Sequence, residues 1–395
     1  MQKDSDDGAN AFRSRRVVII GIGAVANCIA EAILKIPSLT LVAGACRTPE
    51  KGIAFAKQFN CVWFDDAERM LEQTSPDFAI ICTPSGHHLD SVRLCAKHGV
   101  NVLCEKPLEI RLDRAEEMLS VVEAAGIRLG AIFPQRFNPI HLALRDAIAA
   151  GRFGSIACIS GTVPWWREDS YYAADRWQGK LSTDGGGALI NQAIHTLDLV
   201  QWLLAADMPE LAPWENPVEE VYADTAIRAH DSNVLEVEDT AVLTLRFRNG
   251  ALGQLLAATS MYPGSLRRLL IAGRNGTAEI IEDQMLQFNF REPAPEDEAI
   301  RERFARQTQH SGGCSVPMAI HAIHHQRNIE SFLRSLESGE PPELSGEQAA
   351  KAIAIIEACY ESSIHRKPVK PRELNRFNAV TVPNRNEASR LPNLR

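Results

Sequence analysis

The strongest constraint on this fold is an alternation in the first third of the chain. Continuous apolar runs, "VVIIGIG", "LTLVAGAC", "DFAIICTP", "NVLCEKP" and "RLGAIF", are separated by segments with helical spacing. Those segments are "AVANCIAEAILKI", "PEKGIAFAKQF", "HHLDSVRLCAKHG" and "LDRAEEMLSVVEAAG". Strands that are apolar on both faces need cover on both faces, and amphipathic helices between them supply it. The pattern therefore predicts a doubly wound parallel sheet. Gly99, Gly126 and Gly130 mark the expected helix-to-strand returns.

After Phe133 the pattern changes. From about Ile156 the strands lengthen and follow one another, with hairpin signals at Asn249-Gly250 and Asn275-Gly276. An antiparallel sheet, and so an α+β second domain, is expected there. Helices return at "HAIHHQRNIESFLRSLESG" and "GEQAAKAIAIIEACYESSIHR".

Composition narrows the class. The chain has 395 residues, enough for two cores, and is 45% apolar and 23% charged, the profile of a soluble globular protein. A net charge of −8 argues against nucleic acid or an anionic membrane as the main partner. The nine cysteines are odd in number and scattered, with no C-x-x-C. That is the usage of small core residues in a reducing compartment, so neither disulfides nor a thiolate zinc site is expected. The stretch "RSRRVVIIGIGAVANCIAEAIL" resembles a signal peptide, but Asn27 and Glu31 interrupt it and its glycines form another motif. A cytoplasmic protein is expected.

That motif is G-x-G-x-x-A, with Gly21, Gly23 and Ala26 directly after the first strand and at the mouth of the first helix. It predicts a tight turn, close backbone approach, and a dinucleotide pyrophosphate on the helix N-terminus. The second strand ends at Cys46 and Arg47, where a carboxylate would have held a ribose hydroxyl. No acid stands there to repel a 2′-phosphate and Arg47 can pair with one, so NADP is favoured over NAD. Thr83 and Pro84, followed by His87 and His88, close a parallel strand at the edge where such sheets bind ligands.

Asn191, His195 and Asp198 are spaced i, i+4 and i+7, which places them on one face of a helix opened by Gly185 to Gly187. Aromatic residues are only 6% of the chain, yet "PWWREDSYYAADRW" gathers Trp165, Trp166, Tyr171, Tyr172 and Trp177 beside Arg167. Such rings suit the faces of a pyranose or cyclitol, and equally a loop packed on the sheet or on a second subunit. His321 and His325 have metal-ligand spacing without a third ligand, so they read as surface helix histidines and no metal is expected.

Taken in order, "GIGAVA", "CTPSGHH", "LCEKPLE", "FPQRFNP" and "GGGALINQAIHTLDL" resemble the Gfo/Idh/MocA family, the glucose-fructose oxidoreductase and inositol dehydrogenase relatives. The polar residues 1–15 read as a disordered tail, and the resemblance implies a Rossmann NAD(P)-binding domain over 16–135 and a substrate-binding and oligomerisation domain over 136–370. A second tail follows over 371–395. It implies a homodimer or homotetramer built on the open sheet, and a dehydrogenase for a secondary hydroxyl of a sugar, sugar nucleotide or cyclitol. Lys106 and His195 match its proton-transfer residues, and Asn191 stands where the family often carries aspartate. An amide orients a hydroxyl but takes no proton near neutral pH. The "NQ-x-I-H" variant is similar to members acting on nucleotide-linked N-acetylamino sugars.

Candidate cofactor contacts are Gly21, Gly23, Ala24, Val25, Ala26, Cys46, Arg47, Thr83, Pro84, His88, Glu105, Lys106 and Gln135. Candidate substrate contacts are Lys106, Arg136, Trp165, Arg167, Trp177, Asn191 and His195. Two other readings exist within the family: glycoside cleavage by transient oxidation with tightly bound NAD, and a non-catalytic sugar-pathway regulator.

Overall fold

A computed structural model describes residues 14–173, 175–305 and 322–375. Residues 1–13 and 376–395 of the tails expected over 1–15 and 371–395, and also Cys314 and His321, lie outside the described residues. Six strands, β1 (Arg15–Ile20), β2 (Leu39–Ala45), β3 (Val62–Phe64), β4 (Phe78–Ile81), β5 (Asn101–Cys104) and β6 (Leu129–Ala131), form a parallel sheet in the order 3-2-1-4-5-6. Helices α1 (Ala24–Ile33), α2 (Pro49–Phe59), α3 (Ala67–Thr74), α4 (His88–Lys97) and α5 (Leu112–Ala125) connect them. The strand order reverses between β1 and β4, which opens a crevice at their carboxyl ends.

Gly126 has positive φ and caps α5, as a helix-to-strand return requires. Gly130 serves a different purpose. It lies within β6, and a Cβ there would meet the Phe332 ring at 2.7 Å. The short β3 and α3 carry too few apolar residues to stand out as a pattern.

The chain then crosses to a second sheet through α6 (Pro139–Ala149). The seven strands are β7 (Ile156–Pro164), β8 (Val218–Ala226), β9 (Thr240–Phe247), β10 (Leu252–Ala258), β11 (Arg268–Gly273), β12 (Gly276–Ile281) and β13 (Gln284–Phe290), in the order 13-12-11-7-10-9-8. All neighbours are antiparallel except β7 and β10, which are parallel. Gly250 turns the β9–β10 hairpin with positive φ. In the β11–β12 hairpin the turn falls at Arg274 and Asn275, one residue earlier than the Asn-Gly signal suggested. Gly276 opens β12, where a Cβ would strike the Phe290 ring at 2.4 Å.

Between β7 and β8 lie α7 (Leu181–Asp184), a π-helical turn (Ala188–Ala193) and α8 (Ile194–Ala205). After β13 come α9 (Pro295–Phe304), α10 (Ala322–Ser338) and α11 (Gly346–His365). One face of the large sheet is covered by α8 and α11. The other alternates outward, exposing Tyr222, Val242 and Leu252. Helix α10 returns to the first sheet. Its Ile329, Phe332 and Leu333 share a core with Val17, Ile29 and Phe78, so the first core is completed from the far end of the chain. Among the described residues no helix is long and apolar enough to cross a membrane.

Candidate active site

The cofactor end is built by three loops at the switch point. Gly21 takes positive φ, and a Cβ on it would lie 2.6 Å from the Cys82 and Thr83 backbone. Only glycine lets the turn press against the end of β4. A Cβ on Gly23 would meet nothing within 4 Å. Gly23 and Ala24 are exposed, Val25 is half-buried and Ala26 is buried against the sheet. No side chain caps α1 and no acid stands in its first turn, so its N–H groups point outward unpaired by side chains. Across the crevice the buried Thr83 hydroxyl has no hydrogen-bond partner. Open space, an uncapped helix N-terminus and an orphan hydroxyl together fit a dinucleotide pyrophosphate.

The remaining cofactor candidates divide. Arg47 is exposed just past β2, and the Cys46 thiol turns to the Thr48 carbonyl at 3.2 Å. Pro84 leads into a short 3₁₀ turn over Ser85–His87. His88 does not face the crevice. Its buried ring spans the Thr83 carbonyl at 2.9 Å and the Pro107 carbonyl at 2.9 Å, bracing the β4 loop against the loop after β5. Gln135 is buried, and its amide oxygen accepts from Arg267 at 3.4 Å.

Lys106 follows β5 and precedes Pro107 through a cis peptide. It is half-buried, and Nζ donates to the Asn191 carbonyl at 2.6 Å. Burial lowers its pKa, while Glu105 and Asp184 act to raise it and Arg167 to lower it. Glu105 is buried, accepts the Lys106 N–H at 3.0 Å, and is pushed up by burial to about 7.

The glycine-rich helix start has a packing origin. A Cβ at Gly186 would lie 2.0 Å from the Tyr360 hydroxyl, and one at Gly187 would lie 1.7 Å from the Glu238 carbonyl. Glu238, buried just before β9, accepts the N–H groups of Gly187 at 2.8 Å and Leu189 at 2.9 Å. It caps a π turn, which shifts the expected single face. Asn191 lies in that turn, whereas His195 and Asp198 lie on α8.

His195 is buried, its Nδ1 has no partner, and its ring meets Phe133 edge-on at 5.9 Å. Burial, with Lys106, Arg267 and His325 nearby, holds its pKa well below the ordinary range, so the ring is neutral. Asn191 is engaged on every side: Nδ2 donates to Asp184 at 2.6 Å and Oδ1 accepts from Gln192 at 2.7 Å.

Asp198 and Arg136 leave the site. Their bidentate pair at 2.6 and 2.7 Å is buried, with Arg136 also donating to Gln348 and lying over Trp202. A guanidinium so committed braces α8 and α11 against the turn after β6 and offers nothing to a pocket. The aromatic segment divides too. Trp165 is buried beneath Arg167, with its indole N–H unpartnered. Trp166 stacks on His230 at 5.4 Å, and Trp177 is half-buried with its carbonyl on Thr183. Arg167 donates to Gln192 at 2.7 Å.

Asp184, Gln192, Glu238 and Arg267 complete the surroundings without having been singled out as site residues, and Tyr171 joins them from the aromatic segment. Asp184 had one available signal, an acid immediately before three glycines. Of the two histidines expected at the surface, His325 is instead 5% exposed, where α10 packs on α1. His325 sits 3.9 Å from Glu105 and 3.8 Å from the Cys28 thiol. Among the described residues, the group of three with metal-ligand geometry is Glu68, Glu72 and His98, on the outer ends of α3 and α4 with Lys97 on Glu68.

Comparison with known proteins supplies the family. Residues 15–133 match the oxidoreductase family's NAD-binding Rossmann fold, and residues 145–370 match its C-terminal alpha/beta domain. The chain is 29% identical to the WlbA dehydrogenase of Bordetella pertussis, solved in complex with NADH and UDP-GlcNAcA. That superposition has a TM-score of 0.80 and covers 91% of this chain and 98% of the other. Myo-inositol 2-dehydrogenase of Thermotoga maritima is 24% identical over 374 residues, 91% of this chain and 99% of that one. The 2,7-anhydro-N-acetylneuraminate hydratase of Mediterraneibacter gnavus is 26% identical over 350 residues, 82% and 89% respectively. With both halves matched in order, the chain belongs to the Gfo/Idh/MocA oxidoreductases, an NAD-binding Rossmann domain followed by the family's C-terminal α/β domain.

Proposed function

We propose that this protein is a nicotinamide-dependent dehydrogenase interconverting a secondary hydroxyl and a ketone on a sugar nucleotide, with Lys106 as the proton-transferring group. The observation that carries the reading is Lys106 itself, a half-buried amine at the crevice edge, 2.6 Å from the Asn191 carbonyl and with its pKa lowered by burial. Narrowing from sugars in general to a sugar nucleotide is supported by the 29% identical relative solved with UDP-GlcNAcA.

The bound nicotinamide supplies the hydride acceptor. Lys106, as the neutral amine, takes the hydroxyl proton. Neutral His195 hydrogen-bonds the reacting oxygen, and Trp165, Arg167 and Trp177 line the approach to the sugar. Asn191 holds the lysine through its carbonyl, since its side chain is already engaged. The NAD-binding family model and the NADH in the relative support NAD. The exposed Arg47, with no acid at the end of β2, supports acceptance of NADP as well. The exposed face of the large sheet supports a homodimer or homotetramer built there.

The test is a screen of UDP-N-acetylglucosaminuronate and myo-inositol with NAD⁺ and NADP⁺, following the nicotinamide absorbance. Net reduced cofactor is expected, and Lys106→Ala should lower turnover by about 10²–10⁴-fold with cofactor affinity retained. Near-full activity of that variant would sink the mechanism. The hydratase relative supports a second reading, in which the cofactor is recycled in place. Product without net reduction would establish it.

A further inference from the structure

Asp184 closes α7 at 1% exposure. One carboxylate oxygen accepts the Gly179 N–H at 2.9 Å, and the other accepts Asn191 Nδ2 at 2.6 Å. Asn191 Oδ1 accepts Gln192 Nε2 at 2.7 Å, and Gln192 Oε1 accepts Arg167 Nη2 at 2.7 Å. Two amides therefore bridge a carboxylate and a guanidinium, and the end charges fix the direction of both. Turning Asn191 over would set its oxygen against Asp184, and turning Gln192 over would set its NH₂ against Arg167. The same Asn191 presents its carbonyl to Lys106 Nζ at 2.6 Å.

We infer that Asp184 is the positioning residue of this site: its carboxylate orients the Asn191–Gln192 side-chain amides and so fixes Asn191, whose main-chain carbonyl holds Lys106, and its charge acts on that lysine across this link. The inference rests on the reading that Lys106 transfers the proton. The charged and titratable groups facing Lys106 are Glu105 beside it, Asp184 from α7, Arg167 from the segment after β7 and His195 from α8. Asp184 in turn faces Lys106, Glu238, Tyr171, Tyr172 and Tyr360. Burial raises Asp184 to about 7, so above that pH it is charged, and removing the charge leaves Glu105 alone to oppose burial and Arg167; the lysine then gives up its proton more readily. A second acid at position 191 acts in the opposite sense.

The geometry allows an exchange. In Asp184→Asn/Asn191→Asp, one amide and one carboxylate still face each other, and Gly179 still has an oxygen to donate to. The experiment compares the full-length wild type, Asp184→Asn, Asn191→Asp and the exchange variant. Acetylation of Lys106 by acetic anhydride is mapped by peptide mass spectrometry across pH, without substrate. The kcat/KM profile with UDP-N-acetylglucosaminuronate and NAD⁺ is recorded in parallel.

The reactivity midpoint is expected to fall by about one unit in Asp184→Asn, rise by less in Asn191→Asp, whose facing acids share a proton over part of the range, and return in the exchange. Each single variant should lose roughly tenfold in kcat, with substantial recovery in the exchange. Midpoints that do not move, or an exchange no better than the single variants combined, would overturn the inference. If Asp184→Asn does not fold, Asn191→Asp and the exchange still decide. If Lys106→Ala abolishes turnover while these midpoints stay put, only this inference fails. If Lys106→Ala remains active, the functional reading fails.

Discussion

At the scale of the residue, burial moves Lys106 and His195 in the same direction with opposite consequences. Lowering a lysine brings the neutral amine toward working pH, whereas lowering a histidine removes the imidazolium. The two side chains are therefore not equivalent bases. With the neutral amine as the proposed acceptor, kcat/KM for oxidation should rise with pH through a midpoint below the ordinary lysine value of 10.5, and the reductive rate should fall over the same range. A profile flat from about pH 6 to about pH 9 would count against Lys106 as the base. The lysine was legible because an ammonium at the end of an apolar strand has no packing reason to be there. Asp184 was not, since "LSTDGGG" reads as a polar loop until the fold lays it against Asn191.

At the scale of the element, the π turn over Ala188–Ala193 exists because Glu238 and Tyr360 are packed against its entry. A methyl at Gly187 would strike a backbone carbonyl, which cannot swing aside, so Gly187→Ala should misplace the turn. Its melting temperature should drop, and turnover should fall with it. Glu238 gives a second check. Burial raises its pKa from the ordinary 4.5 to about 7, so the folded chain keeps a proton that the unfolded chain has released. Its contribution to stability therefore falls as pH rises between those values. Glu238→Gln does not titrate, so its stability deficit should shrink by about 2 kcal/mol between about pH 5 and about pH 8. Denaturant titrations of both proteins at the two pH values measure the difference, and a deficit constant with pH would contradict the assignment.

At the scale of the whole molecule, a buried ion pair joins the two sheets beside the apolar core they share. Arg136, after the last strand of the first sheet, pairs with Asp198 on α8 beneath the second. Removing the guanidinium leaves a buried carboxylate with Gln201 but no counter-charge, so Arg136→Met should cost about 3–5 kcal/mol, read from thermal or denaturant unfolding. The outward face of the large sheet carries Tyr222 at 38%, Val242 at 47% and Leu252 at 51% exposure. If the proposed oligomer forms there, Val242→Lys with Leu252→Lys should lower the mass found by light scattering while leaving the helical and strand signals in place.

Periodicity and turn chemistry act between near neighbours, so the sequence by itself determined the alternating parallel sheet, the Gly21–Ala26 turn, the β9–β10 hairpin and the lysine after β5. The tertiary structure alone decided which distant groups meet. It turned Arg136 and Asp198 away from the site and into a brace. It set α10 into the first core and buried His325, which looked solvated. It brought Asp184 to Asn191 and Glu238 to the glycines. Contacts of this kind depend on how whole elements pack and on where a buried charge can find its partner, and no local spacing in the chain records that.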